Sequence, residues 1–385
     1  MIDHCGRRAA IATHGPRTSA QLMKMKMDIR QATASYETWL RGCTAVVQVA
    51  LKTKHQQMRD DPFYFFRGTY YRWTQLFPEI CGELTRAPKV LCGGDLHVGS
   101  FGTWRDAEGR LCWGVDDFDD AYPLPYTNDL VRLAASVKMV TDSETLIIKY
   151  REGCDAILDG YRESLKQGGC PFVLAERAQN MERLGVAAIQ PAENFWDKLA
   201  EVPEVPDREV PVDARAALRK MFPPKTNYKI TRRQAGMGSL GQPRFAAIAK
   251  YDGGYMAREV KAAVPSAMVW KAGQSGHGEN YYDRTIAGAV RSRDPFHRTV
   301  KGWVVRRLSP DSNPIEVDAL PKERDEYTLL HAMGTEVANV HCGSKRQIQN
   351  VLRDLRARTK NDNKWLRKAG KEMAKVIEKD WKSYA

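Results

Sequence analysis

A chain of 385 residues is long enough for one large two-lobed domain or two ordinary ones, with a sizeable core. Its hydrophobic fraction of 43% is that of a globular protein, no apolar run reaches the length of a bilayer span, and the charged N-terminal stretch lacks the apolar segment of a secretory signal. The net charge of +13 gathers in Arg7 to Arg30 and Lys345 to Lys382 and reads as solvated tails and helix faces ahead of a nucleic-acid site, while the eight cysteines form no C-x-x-C pair and read as reduced thiols of a cytoplasmic protein.

Residues 1–28 carry no periodicity and are expected to be a flexible segment. Ala32, Tyr36, Leu40, Cys43, Val47 and Leu51 recur at helical spacing and predict a helix over 29–56. Asp61-Pro62 opens a new element dense in aromatic residues. Lys89 to Cys92 predicts a buried strand that ends at Gly93-Gly94, and Leu111 to Val115 predicts a second, with a turn near Asp106 to Gly109 between them. Asn128-Asp129 is expected to cap a helix from Leu130 to Met139. Helical patterns follow through Leu165 and again over Ala175 to Leu184. The proline- and acid-rich stretch Val202 to Pro211 reads as a linker or extended surface segment. Composition then changes after Pro224. Tyr228 to Thr231, Phe245 to Tyr251 and Tyr255 to Val260 read as strands, the last two joined by a hairpin turn at Asp252-Gly253-Gly254. Trp303 to Val305 reads as a further strand, and the pattern is helical again from Pro321.

Two groups of residues carry chemistry. Gly236-Met-Gly238-Ser239-Leu-Gly241 fits G-x-G-x-x-G. A dinucleotide fold requires a helix directly after the glycines, whereas Phe245 to Tyr251 has the pattern of a strand. Strand, glycine loop, strand is the arrangement that covers the phosphates of ATP in kinases. Lys261, at the end of the third strand, is in register to reach back to those phosphates; Lys250, beside the hairpin turn, is expected to be exposed. The second group is acidic. Gly94-Asp95-Leu-His97-Val-Gly-Ser100 follows one strand, and Val115-Asp-Asp117-Phe-Asp119-Asp-Ala121 follows another. Mg2+ needs only one or two protein carboxylates when phosphate oxygens complete its shell. Asp95 suits the acceptor of the attacking hydroxyl's proton, Asp117 the metal ligand, and Asp119 a second metal ligand or an organiser of the loop. Asp116 and Asp120 are expected to be peripheral. A D-x-D metal site of the glycosyltransferase kind fits Asp117-Phe-Asp119 as well, whereas a calcium loop of the EF-hand kind lacks its glycine and distal glutamate. His97 is expected to be a hydrogen-bonded loop histidine, and Asp129 a helix cap ahead of a brace for the loop of Asp95.

With these residues in place the sequence resembles the catalytic half of aminoglycoside phosphotransferases, through Gly94 to Ser100, Asp117-Phe-Asp119-Asp-Ala121 and Asn128-Asp129-Leu-Val-Arg-Leu-Ala. It resembles more closely the bacterial family catalogued as domain of unknown function 2252, grouped with the protein-kinase-like superfamily. That likeness runs from about Asp60 to His341, through Asp61-Pro62-Phe-Tyr-Phe-Phe66-Arg67-Gly68, the glycine loop, Val260-Lys261-Ala-Ala, Val305-Arg306-Arg307-Leu308 and Glu336-Val-Ala-Asn-Val-His341. The resemblance implies an α+β, kinase-like two-lobed fold with its blocks in permuted order, since the acidic loops precede the glycine loop. The expected divisions are a helical lobe with the acidic loops at 29–224, a β-rich nucleotide-binding lobe at 225–310, and helices at 311–385 that complete the first lobe. Val305 and Arg306 then belong to an inter-lobe connector beside the adenine. Two departures stand out. Ser100 occupies the position of a metal-binding asparagine, and no glutamate partner for Lys261 is evident beyond Glu279. The function implied is an ATP- and Mg2+-dependent phosphotransferase acting on a hydroxyl. The alternatives are transfer of AMP, a catalytically weak nucleotide-binding pseudokinase, and a basic binding protein. Arg67 is expected to form a structural ion pair ahead of a phosphate or substrate contact.

Overall fold

The computed structural model describes residues 27–177, 192–276, 278–312, 326–361 and 363–385. The expected flexible segment therefore lies outside the described residues except at its end, as does most of the helix expected over 175–184. The architecture is α+β: helices gathered around one large core, and small antiparallel sheets.

The helix expected over 29–56 is two helices, α1 (Ile29–Cys43) and α2 (Gln48–Asp60). Thr44 and Val47 are extended, and the β-branched Val46-Val47 pair fits a break better than a helix interior. The break has a use, because it frees the Val47 N–H to donate to the Gly241 carbonyl at 2.8 Å. Asp61 caps α3 (Pro62–Gly68) by accepting from the Tyr64 N–H, with proline in the first turn where no donor is needed. Helix α4 (Tyr70–Ile80) follows.

Strand β1 (Lys89–Cys92) pairs with β4 (Tyr122–Pro125), while β2 (Phe101–Arg105) and β3 (Leu111–Val115) form a hairpin with the short β5 (Phe172–Val173) at its edge. The two acidic loops thus leave strands of separate sheets rather than adjacent strands of one. Helix α5 spans Thr127–Asp142 and begins earlier than expected, so Asp129 lies inside its first turn and caps nothing. Helix α6 (Tyr150–Gln167) crosses α11 (Glu326–His341) with backbones in contact: a Cβ on Gly334 would lie 2.0 Å from the Ile157 carbonyl oxygen, and one on Gly160 2.0 Å from that of His331.

The larger sheet has the order β6-β7-β8-β10-β9, all antiparallel: β6 (Lys229–Arg232), β7 (Arg244–Tyr251), β8 (Gly254–Ala262), β9 (Arg298–Val300) and β10 (Trp303–Leu308). The expected strands and the 252–254 turn are all present, with Asp252 at φ 45° and Gly253 at φ 81°. Helices α7 (Ala192–Glu201) and α8 (Val212–Arg219) pack on this sheet through Leu199, Ala214, Ala217 and Leu218. Residues ahead of the compositional change at 224 therefore cover the sheet. The stretch 202–211 is not a free linker, because Val205 bonds to the Ile230 carbonyl and buries its side chain with Val210. Helices α9 (Ala267–Lys271) and α10 (Tyr282–Gly288) join the main core through Trp270 and Ile286, as do α12 (Ile348–Arg358) and α13 (Lys364–Tyr384). Among the described residues no helix is long and apolar enough to cross a membrane, and the seven cysteines are free thiols.

Candidate active site

The loop of Asp95 is built on a buried carboxylate behind it. Asp129, with no exposed surface, accepts from the Gly93 N–H at 2.8 Å and the Gly94 N–H at 3.2 Å, and its remaining capacity meets Asn128 and His341 Nε2. His341 is held in turn by Tyr161 at 2.8 Å. Asp129 is therefore the brace of this loop and not a cap. Gly94 has φ 83°, and a Cβ there would lie 2.1 Å from the Asp120 carbonyl oxygen, so glycine is required by both conformation and space.

Asp95 presents its two oxygens differently. Oδ1 takes the guanidinium of Arg132 (Nε at 2.7 Å), a fully buried arginine in α5 stacked on Phe66, Tyr70 and Trp73. Oδ2 has no hydrogen bond among the described residues and lies 3.6 Å from the place of a Cβ on Gly238. Burial raises the affinity of Asp95 for a proton above that of an ordinary carboxyl; Arg132 opposes this and Asp117 adds to it. Ser100 donates to the Asp95 carbonyl at 3.2 Å and accepts from the His97 N–H at 3.1 Å, so its hydroxyl closes the loop. His97 Nδ1 accepts from the Gly99 N–H at 3.1 Å; burial, with Arg67 and Arg132 nearby, holds the ring neutral. The expected loop histidine is found.

Lys261, almost wholly buried, meets the second acidic loop: its Nζ is 2.5 Å from Asp119 Oδ2 and 3.7 Å from Asp117 Oδ1. Asp117 is the exposed member, with 47% of its side chain accessible. Burial pushes its carboxyl up, but Lys261 and the Asp119 N–H outweigh this and hold it below the usual range. Asp119 is shifted upward by burial and by Asp117 beside it. Asp116 is not peripheral, whereas Asp120 stands outside the cleft wall. Burial raises Asp116 to about 6, and it lines the cleft. Burial and then Asp95 raise Asp120 to about 7, and its carboxylate accepts from the Ala267 N–H at 2.7 Å.

The glycine loop joins β6 to β7 and is tied to α2 at two points. Lys54 Nζ donates to the Gly238 carbonyl at 2.8 Å, and Val47 donates to that of Gly241. Gly236 (φ 72°) and Gly238 line the cleft, whereas Gly241 packs on Leu51, and the Ser239 hydroxyl accepts from Arg244 at 2.7 Å. Lys250 is exposed, as expected. Val304 to Leu308 is the paired interior strand β10 rather than a connector. Arg306 lines the cleft, but Val305 points into the core on the other face, as alternation along a strand requires.

Sequence reasoning missed Glu259. On β8, two residues before Lys261 and on the same face, this buried carboxylate meets Arg306 Nε and Arg233 Nε at 2.7 Å each and Arg244 Nη1 at 2.8 Å. Burial pushes its carboxyl up, but the three guanidinia hold it well below its ordinary value. Glu279 instead pairs with Arg284 at the surface. The available signal was a charged residue alternating with apolar ones on a central strand. Lys54 and Arg132 were missed as well; each is a lone base on the apolar face of a helix.

One cleft of about 260 Å³ is walled by Arg67, Asp95, His97, Asp116, Asp117, Gly236, Gly238, Lys261 and Arg306, with Asp119, Glu259 and Arg132 bonded to its wall from behind. Fold and site together define an α+β protein in which a braced carboxylate, an acidic loop and a glycine loop from distant parts of the chain share a polar cavity. The family model described as uncharacterized protein conserved in bacteria (DUF2252) matches residues 46–172 and 173–385, and the chain belongs to that family. No curated protein and no solved structure matches it.

Proposed function

We propose that the protein is an ATP- and Mg2+-dependent phosphotransferase acting on a hydroxyl, with a kinase-like arrangement whose blocks are permuted. The observation that carries this reading is the meeting of Lys261 with Asp117 and Asp119 in the same cleft as Asp95 and Gly238. The sheet supports it: the glycine loop lies between its first and second strands and the lysine on its third, the order in which kinases cover and anchor the phosphates. The donor set suits the ligands. Asp117 is exposed to the cleft, with Asp116 and Asp119 beside it, and six basic side chains line the same cavity.

Bound Mg–ATP would supply the phosphoryl group and its charge neutralisation. Asp117, with Asp119, would hold the cation, and Lys261 would exchange a carboxylate oxygen for a phosphate one. Gly236 and Gly238 let the backbone approach the phosphates without a side chain between. Asp95 Oδ2 takes the proton of the acceptor hydroxyl as its oxygen bonds to the γ-phosphorus and the bond to the β,γ-bridging oxygen breaks, releasing ADP. The raised proton affinity of Asp95 suits a base, and Arg132 fixes its orientation. The Ser100 hydroxyl, engaged within its loop, serves geometry ahead of metal binding.

Calorimetric titration with ATP, with and without Mg2+, tests this. Wild type is expected to bind Mg–ATP, and Asp117→Ala and Lys261→Ala to weaken binding at least tenfold. Asp95→Asn should keep binding within threefold and lose the slow transfer to water by 10²-fold or more, a magnitude on the order of general-base catalysis. Equal nucleotide affinity in all variants refutes the assignment, and release of labelled α-phosphate as protein- or acceptor-bound AMP replaces phosphoryl with nucleotidyl transfer.

A further inference from the structure

The basic side chains of the cleft are not equivalent. Lys261 is 2.5 Å from Asp119, Arg233, Arg244 and Arg306 lie at 2.7, 2.8 and 2.7 Å from Glu259, and Arg307 is 3.8 Å from Asp294. Arg67, the remaining one, has no carboxylate partner among the described residues. The structural ion pair expected from sequence is therefore not found there. Its Nε is sealed from solvent without an acceptor. Its guanidinium carbon stands 5.9 Å from the ring centres of Phe63 and Tyr64 and 3.7 Å from the place of a Cβ on Gly99. Ring contacts at that range engage the face of a guanidinium and leave the N–H edges available.

Beside it stands His97. Its Nδ1 accepts from the Gly99 N–H, so the proton of the neutral ring is on Nε2, which has no partner among the described residues. A guanidinium without a counter-ion and an unused imidazole N–H thus face the cavity on the wall that carries Asp95. Of the carboxylates that line the cleft, Asp95 is engaged by Arg132, Asp117 by Lys261 and Asp294 by Arg307, and Asp116 stands beside the proposed cation ligand.

We infer that Arg67 and His97 form an anion subsite for the acceptor, so that the substrate is a hydroxyl compound bearing a phosphate or carboxylate near the reacting hydroxyl. The inference rests on the phosphotransferase reading, and it departs from the aminoglycoside kinases that the acidic loops resemble. Arg67 binds the fixed anion in its fork while Asp95 Oδ2 receives the hydroxyl. Gly99 lines the cleft between Arg67 and His97 and puts no side chain over either.

The test uses the full chain saturated with Mg–AMPPNP, so that the γ-phosphate position is filled, and titrates inorganic phosphate in one arm and acetate in another at constant ionic strength. Wild type is expected to bind one or both anions and Arg67→Leu to weaken this at least tenfold, with AMPPNP affinity changed less than threefold. Arg67→Lys, which keeps the charge without the fork, should fall between them and serves if the leucine variant does not fold. His97→Gln, which can still donate, should bind within threefold of wild type, and His97→Leu should not. Absence of anion binding to the nucleotide-loaded wild type overturns this inference and leaves the phosphotransferase reading intact. A loss of AMPPNP affinity in Arg67→Leu as large as the loss of anion affinity also overturns it, since Arg67 then serves the triphosphate. Failure of wild type to bind Mg–AMPPNP overturns both.

Discussion

Replacing Glu259 by glutamine keeps the shape of the side chain and removes its charge from the centre of three guanidinia. Arg244 retains only 4% of its side-chain surface and cannot turn to water, so the variant leaves it as an uncompensated buried cation. Breaking such a pair costs about 3–5 kcal/mol. Arg233 and Arg306, with 31% and 28% of their side chains accessible, can rehydrate in part, and each adds about 0.2–1 kcal/mol. The expected loss is therefore about 3–7 kcal/mol at pH 7. Urea denaturation followed by circular dichroism measures it as a lower midpoint at unchanged slope. The pH dependence follows from the direction of the shift. The folded carboxyl is held well below its ordinary value, so its contribution is present above the unfolded value of about 4.3 and is lost as pH falls through the folded one. Wild type and Glu259→Gln should accordingly converge in stability below about pH 4. A loss under 1 kcal/mol at pH 7, or a difference that does not shrink in acid, refutes the reasoning.

Lys54 gives a second signature in pH. Burial lowers it to about 8 against the nearby carboxylates, while the unfolded lysine keeps its proton to about 10.4, so the stability tied to its release is present above 10.4 and lost as pH falls through 8. Denaturation of wild type between pH 8 and 10 should show a gain of about 2 kcal/mol that Lys54→Met lacks. Gly94→Ala should lose about 1–2 kcal/mol from its left-handed conformation and about 1–3 more from the clash with the Asp120 carbonyl, read by chemical denaturation. Asp129→Asn should lose about 1.5–3 kcal/mol as charged acceptor bonds to Gly93 and Gly94 weaken, with faster hydrogen exchange at those two amides.

What sequence revealed and what it hid divide along a physical line. The strands on either side of the glycine loop, the 252–254 turn and the strand before Gly93 were legible because alternation and turn chemistry are local. Lys261 and Asp117 were legible as types of residue, and Asp95 by its loop. The supporting groups were not. Glu259 is surrounded by bases from β7, β10 and the glycine loop, Lys54 reaches across to Gly238, and Arg132 lies under Asp95; each is defined by partners far away in sequence. Asp129 was misjudged for a related reason. Its role depends on where α5 begins, and Thr127 continues the helix two residues before the expected cap. The break between α1 and α2 was hidden by an apolar spacing that runs through it unbroken.

The two hydrogen bonds that fasten the glycine loop to Val47 and Lys54 have a kinetic consequence. With the loop held at Gly238 and Gly241, lifting it requires breaking both bonds or swinging α2 about residues 44–47; on the proposed reading, departure of a nucleotide would be coupled to that motion. Dwell time on the protein, more than equilibrium affinity, is then the quantity that a stiffer or looser 44–47 segment would change.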